Sequence, residues 1–344
     1  MIVSASKMCI KARCILGQTI FLVSMLILLI MGGCDESANI PIIEEAFWNK
    51  YGCVDDFWGV VSIGFNSKAD IFIAGERYDY KDHIRFRTIY SSRDGGYSWK
   101  LIFDHYYCYL GISPEYCNLT QLLFVSSKDH IYVGSYRSVD NGDSWEQMPI
   151  YDVSSMAEDT IGQLYALATE DTVRGIYTSM DDGETWDILA VNEWGVGNIA
   201  INSEDEIFVY GYYEIWRSID NGETWEMLKD DFAYPIYQVV IGSDGYMFAK
   251  GGSGILYRSA DKGETWEDVS IFYTYQGSSN IAISSQGYVC VAVATDYVLC
   301  SMDNCKSWFK LGKGLYIEEI AIDPDDRIVC VSTGCLYGGI VALE

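Results

Sequence analysis

Histidine is nearly missing from this chain: His83, His105 and His130 are the three in 344 residues. They are dispersed and give no zinc-ligand spacing. Basic residues are scarce too, with 23 Lys and Arg against 49 Asp and Glu and a formal net charge of −26. A surface of that sign repels nucleic-acid phosphates and acidic lipids, which argues against nucleic acid and leaves neutral or cationic partners. There is no glycine-rich phosphate loop and no convincing nucleophile setting. The apolar run Ile20 to Met31 is too short for an ordinary membrane span. Closely spaced turn signals leave no room for long helices.

What is present is repetition. Ser218 to Trp225 reads SIDNGETW. Ser179 to Trp186 reads SMDDGETW, Ser259 to Trp266 SADKGETW, Ser138 to Trp145 SVDNGDSW and Ser92 to Trp99 SRDGGYSW. Ser301 to Trp308, SMDNCKSW, is a worn copy with Cys305 in place of the glycine. The tryptophans fall 46, 41, 39, 41 and 42 residues apart. A period near 40 with one turn per unit signals a repeat architecture. The Asp accepts hydrogen bonds from the backbone ahead of it, the Gly takes a positive φ, and the Trp opens the next strand. None of this requires a ligand. Asp94, Asp140, Asp181, Asp220, Asp261 and Asp303, with Trp99, Trp145, Trp186, Trp225, Trp266 and Trp308, are therefore read as structural.

These boxes resemble the Asp-box, or bacterial neuraminidase, repeat S-x-D-x-G-x-T-W, over nearly the whole chain past its leader. The resemblance implies a β-propeller, as in sialidases, sortilin-type receptors, xyloglucanases and the photosystem II assembly factor. It identifies a fold far better than a function.

Each repeat reads as four strands, A to D; residues 197–229 supply Ile199–Ile201, Ile207–Tyr210, Tyr213–Ser218 and Thr224–Leu228. Inner strands are expected near Ile63, Leu123, Met156, Ile199, Val240, Ile281 and Ile320. The expected fold is all-β: a seven-bladed propeller of four-stranded antiparallel blades, with six or eight blades as alternatives. Trp48 begins an outer strand with no box before it, and the last repeat lacks an outer strand. Residues 46–50 are expected to close the ring beside a strand around Leu336 to Val341, which removes an exposed edge.

Ahead of the repeats, Lys7, Lys11 and Arg13 precede the apolar run, and Met31-Gly32-Gly33-Cys34 looks like a bacterial lipobox. That implies a signal peptide over 1–33, lipidation of Cys34, a polar tether over 34–45 and one propeller domain over 46–344. It also implies a cell-envelope lipoprotein, periplasmic or surface-exposed, that meets a membrane only through its anchor. A monomer is expected. Loss of 1–33 removes three basic and no acidic residues and takes the formal charge from −26 to −29.

In such a ring the A–B and C–D turns share one face, which holds the boxes, and the B–C and D–A loops share the other. The second face is the place for a site. Its D–A loops are rich in rings, and Trp58, Tyr107, Tyr109, Trp194, Tyr234, Tyr273 and Tyr275 are the candidate ligand contacts. Asp55, Asp56, Asp104, Glu115, Glu193, Asp230, Asp231, Glu318 and Glu319 lie among them, each read as a solvated loop charge or, in pairs, as glycosidase carboxylates. A sialidase needs an arginine triad and an Arg-Ile-Pro motif. Here Arg85-Phe86-Arg87-Thr88 lacks that proline, and Arg137, Arg217 and Arg258 belong to the box face. The boxes do not match a calcium loop, and no metal or other cofactor is expected. Among eleven cysteines, Cys108–Cys117 is the first candidate bridge, with Cys330–Cys335 and Cys290–Cys300 weighed against free buried thiols. The reading is a glycan- or protein-binding module that leans away from catalysis, with a glycoside hydrolase as its rival.

Overall fold

The computed structural model describes residues 42–43, 49–53, 60–79, 84–109, 123–192, 195, 197–270, 280–293, 297–311, 317–332 and 335–339. They form a β-propeller of antiparallel blades. Six sheets have four strands each, and a further sheet has five. In the sheet that defines the repeat, Asn198–Ile201, Ile207–Gly211, Glu214–Ser218 and Glu226–Lys229 pair in chain order. Burial follows that order. Every residue of Ile207–Gly211 is buried, and the outer Glu226–Lys229 is exposed or half-buried. The second strand reads as an unbroken apolar run because neighbouring blades cover both of its faces.

The core lies between blades. Tyr165, Leu167 and Ile176 of one sheet meet Ile199, Ile207 and Val209 of the next, with Trp216 and Trp225 packed at the edge. Phe208 and Tyr210 meet Met247, Ala249 and Tyr257 in the same way. Each cluster removes two sheet faces from water, and no single blade can do so alone.

The expected count of seven four-stranded blades is corrected to six. The sheet containing Ile281–Ile283 gains a fifth strand because Ile42–Ile43 pairs in parallel with Lys310 and Leu311. Those two isoleucines lie in the stretch expected to be a polar tether. Their β-branched side chains favour strand pairing over a solvated coil.

Closure is made one step later in the chain than expected. Asn49–Cys53 pairs antiparallel with Cys335–Gly339, with Asn49 opposite Gly338 and Cys53 opposite Cys335. Trp48 is outside the described residues. A disulfide joins Cys53 to Cys335 across 282 residues. The pairing of Cys330 with Cys335 is therefore overturned, and Cys330 is a buried free thiol. Its strand pairing places Cys330 opposite Tyr337, not opposite Cys335. Cys290 and Cys300 lie directly opposite each other and are bridged. Cys117, and with it the Cys108–Cys117 pairing, is outside the described residues.

Candidate functional site

The two ends of the ring use carboxylates in opposite ways. In the box Ser179–Trp186, Asp181 Oδ1 accepts from Ser179 Oγ at 2.8 Å and from the Thr185 amide at 2.9 Å, and Oδ2 accepts from Thr185 Oγ1 at 2.6 Å. The Gly183 amide donates to Ser179 Oγ, and Trp186 Nε1 donates to the Gly183 carbonyl. These donors, led by Thr185, hold the Asp181 carboxyl down at about 2. Asp94 and Asp140 are held at about 2 by the equivalent serines. Residues before and at the glycine both take the left-handed conformation, Asp182 at φ 59° and Gly183 at φ 86°. The box glycine is also tight: a Cβ on Gly222 would lie 2.5 Å from Leu189 of the preceding blade. Arg217 reaches from its own blade's Glu226 to Glu264 of the next box at 2.6 Å. On this face the carboxylates are occupied by turns and blade seams.

A second set of clasps shares that end. Ser67, Ser127, Thr160 and Ser285 each donate through amide and hydroxyl to an acidic side chain of the next blade, Asp129, Glu158, Asp205 and Asp326. Much of the chain's acidity thus has structural partners.

The other end opens into a cavity of about 440 Å³ along the ring axis. Ser62, Ser155, Asn198, Gln238, Asn280 and Glu319 line it, each four residues before the turn that follows its inner strand. Three of them bind the neighbouring blade. Ser155 Oγ accepts from the Ile199 amide, Gln238 exchanges both amide hydrogen bonds with Ile281, and Asn280 Nδ2 donates to both Glu319 oxygens at 2.8 and 2.9 Å. Glu319 is 7% exposed. Burial pushes its carboxyl up to about 8 against the opposing effects of Asn280, the Ile320 amide and Lys250. Burial pushes the Lys250 ammonium down to about 8, opposed by Glu319. Lys250 lies opposite Gln238 in its sheet and so shares that side chain's face.

Tyr237 lines the cavity, and three further exposed tyrosines lie on the turns beside it. Tyr212 is 70% exposed and Tyr237 64%, with Tyr213 and Tyr234 also exposed. The Tyr212 carbonyl accepts from the Ile236 amide, and a Cβ on Gly252 would lie 3.6 Å from Tyr237 Oη and 3.7 Å from Tyr234 Cβ. Tyr212 takes φ 46°, a conformation costly for a residue other than glycine and concentrated at binding sites.

Of the sequence candidates, Tyr234 stands on this rim, and Tyr107 and Tyr109 lie in the strand Lys100–Tyr109. Trp58, Trp194, Tyr273 and Tyr275, like Cys34, are outside the described residues. Phe232, two residues before Tyr234, is buried 5.0 Å from the Tyr257 ring. Asp104 pairs with Arg77, and Asp231 with Lys229. Asp55, Asp56, Glu115 and Glu193 are outside the described residues. Arg174, near the loops, is held by Asp152 and Ser154. Tyr212, Tyr213 and Lys250 were missed. The first two form the B–C turn of a Tyr-Gly-Tyr-Tyr run, and Lys250 interrupts the apolar strand Met247–Gly251. No group of metal-ligating side chains occurs among the described residues.

No protein family matches the sequence. No curated protein matches it either. Solved structures do match in fold. "YCF48 bound to D1 peptide" is 16% identical, covers 90% of this chain and all of its own, and has a TM-score of 0.63. A streptogramin B lyase is 12% identical over 85% of this chain and 96% of its own, with a TM-score of 0.61. The GH74 enzyme of Niastella koreensis is 14% identical over 86% of this chain and 54% of its own, with a TM-score of 0.55. A peptide-bound protein, a lyase and a GH74 enzyme share one frame with this chain, the β-propeller fold.

Proposed function

We propose that this chain is an exported, Asp-box type propeller lipoprotein that binds a neutral or cationic segment of another protein across the rim formed by Tyr212, Tyr213, Tyr234 and Tyr237. The observation that carries the reading is the exposed Tyr237, which lines the axial cavity, with exposed Tyr212, Tyr213 and Tyr234 on the neighbouring turns. Rings with a polar tip supply large contact area at small entropy cost, which suits protein recognition. The net charge of −26 favours partners of opposite sign. A solved propeller of similar fold holds a peptide. Peptide display run beside a glycan array tests the ligand class. Selected peptides should lose about tenfold or more in affinity on Tyr237→Ala, as for a central aromatic contact. Glycan binding without peptide binding would sink the reading. Export and anchoring rest on the lipobox and are tested by radiolabelled palmitate incorporation, which Cys34→Ala should abolish.

The second reading is a glycoside hydrolase, favoured by the Glu319 carboxyl near 8, a state suited to a general acid. Such an enzyme needs two carboxyls, and among the described lining residues Glu319 is the one acid. Turnover of chromogenic glycosides abolished by Glu319→Gln would establish it.

A further inference from the structure

We infer that the axial cavity is a pocket for one basic side chain of the bound protein, whose ammonium or guanidinium is received by the Glu319 carboxylate. This rests on the reading of the tyrosine rim as a protein-binding surface and assigns its central anchor.

The geometry carries it. The cavity is open at the rim, its volume is about 440 Å³, and Glu319 is the formally charged residue among those lining it. The carboxylate is aimed rather than free, because Asn280 Nδ2 holds both of its oxygens. Tyr237 lines the same cavity and is 64% exposed, and an aromatic ring there can attract a passing cation to its π cloud. A flexible four-carbon stem lets a lysine pass the ring and place its charge inside.

Three described groups act on Glu319 from the surrounding elements. Asn280 and the Ile320 amide favour its charged form, as does Lys250. Cys330 is a further titratable neighbour, and its thiol is raised well above its ordinary range by burial and by Glu319. Burial lowers the pKa of Lys250 and raises that of Glu319, so the two move toward each other. Raising the pH favours the Glu319 carboxylate and weakens the charge on Lys250, and an incoming ammonium is then attracted to the carboxylate. At lower pH the carboxyl is protonated and the attraction disappears.

The test uses the full chain and two probes, Nα-acetyl-lysine N-methylamide and its norleucine counterpart, titrated by ligand-observed NMR. The lysine probe should bind about tenfold more tightly at pH 9, the size of one charge-assisted hydrogen bond. That preference should fall severalfold by pH 6 and vanish in Glu319→Gln. Equal binding of the probes at pH 9, no binding of either, or a preference that survives in the variant would overturn the pocket. The pH comparison on the unmodified protein decides even where the variant does not fold. Loss of the lysine preference with Tyr237-dependent peptide binding intact would reject the pocket alone. Peptide binding insensitive to Tyr237→Ala would reject the rim.

Discussion

Asp181 and Glu319 are both carboxylates in a repeat that builds each blade the same way, yet one is held at about 2 and the other pushed to about 8. The box aspartate sits at the water's edge and accepts from its own turn, so hydrogen bonding wins. Glu319 is buried at the ring axis with one side-chain donor, so desolvation wins. The first arrangement is complete in itself. The second leaves a demand for charge that a partner can meet, and this difference separates the face that builds the ring from the face that offers a site.

The comparison breaks most visibly at a box tryptophan. Trp186 is buried among Met148, Met156 and Tyr177, so Trp186→Ala should cost about 3–5 kcal/mol in chemical denaturation. Peptide affinity of the folded fraction should stay unchanged, and a loss of affinity at full stability would place function on the box face. Removing the Cys53–Cys335 bridge with paired serines should cost about 2–5 kcal/mol and promote aggregation through an unpaired blade edge. Unchanged melting and solubility would show that strand pairing alone closes the ring.

Asp181→Asn is a smaller perturbation, about 1 kcal/mol because the loop faces solvent. Its pH signature is more telling. A carboxyl depressed in the folded state adds stability above its unfolded value near 4, and this is lost as pH falls toward 2. At Glu319 the pH effect has the opposite sign. Its folded form holds the proton more tightly than the unfolded chain, so it favours folding below about pH 4.5 and loses that contribution as pH rises toward 8. Glu319→Gln should therefore gain stability relative to the parent between pH 5 and pH 8 in paired thermal melts. A flat difference would mean that the carboxyl is solvated.

The repeat and the strand order within each blade were legible in the sequence because each depends on short-range chemistry, and the N-terminal closure was legible from the strand count, which leaves one outer strand missing at the last repeat and one unboxed at the first. Ser-x-Asp-x-Gly is a turn wherever it sits, and Asn49–Cys53 is an outer strand lacking its box. The parallel strand Ile42–Ile43 was not legible, since two isoleucines beside Pro41 carry no periodicity. The Cys330–Cys335 bridge does not form, because nearness in sequence does not fix the register across a turn; Cys330 is the free buried thiol weighed against it, and Cys335 bonds to Cys53. Glu319 appeared as one loop charge among nine. A usable signal was present: Ser62, Ser155, Asn198, Gln238, Asn280 and Glu319 each precede by four residues the start of an A–B turn. That places all of them at one level of the ring. Lys250 needed the pairing of its strand with Gln238 before it could be assigned to the same place.

Cys305, in the worn box, keeps the turn at φ 64° with its side chain inside the core beside Phe248, Leu256 and Val289. Its blade also contains the bridge between Cys290 and Cys300, ten residues apart. The two bridges therefore mark different moments in the life of the chain. The short one closes as soon as a single hairpin emerges. The long one needs both ends of the ring in place, so the order in which the two oxidise can report completion of the ring.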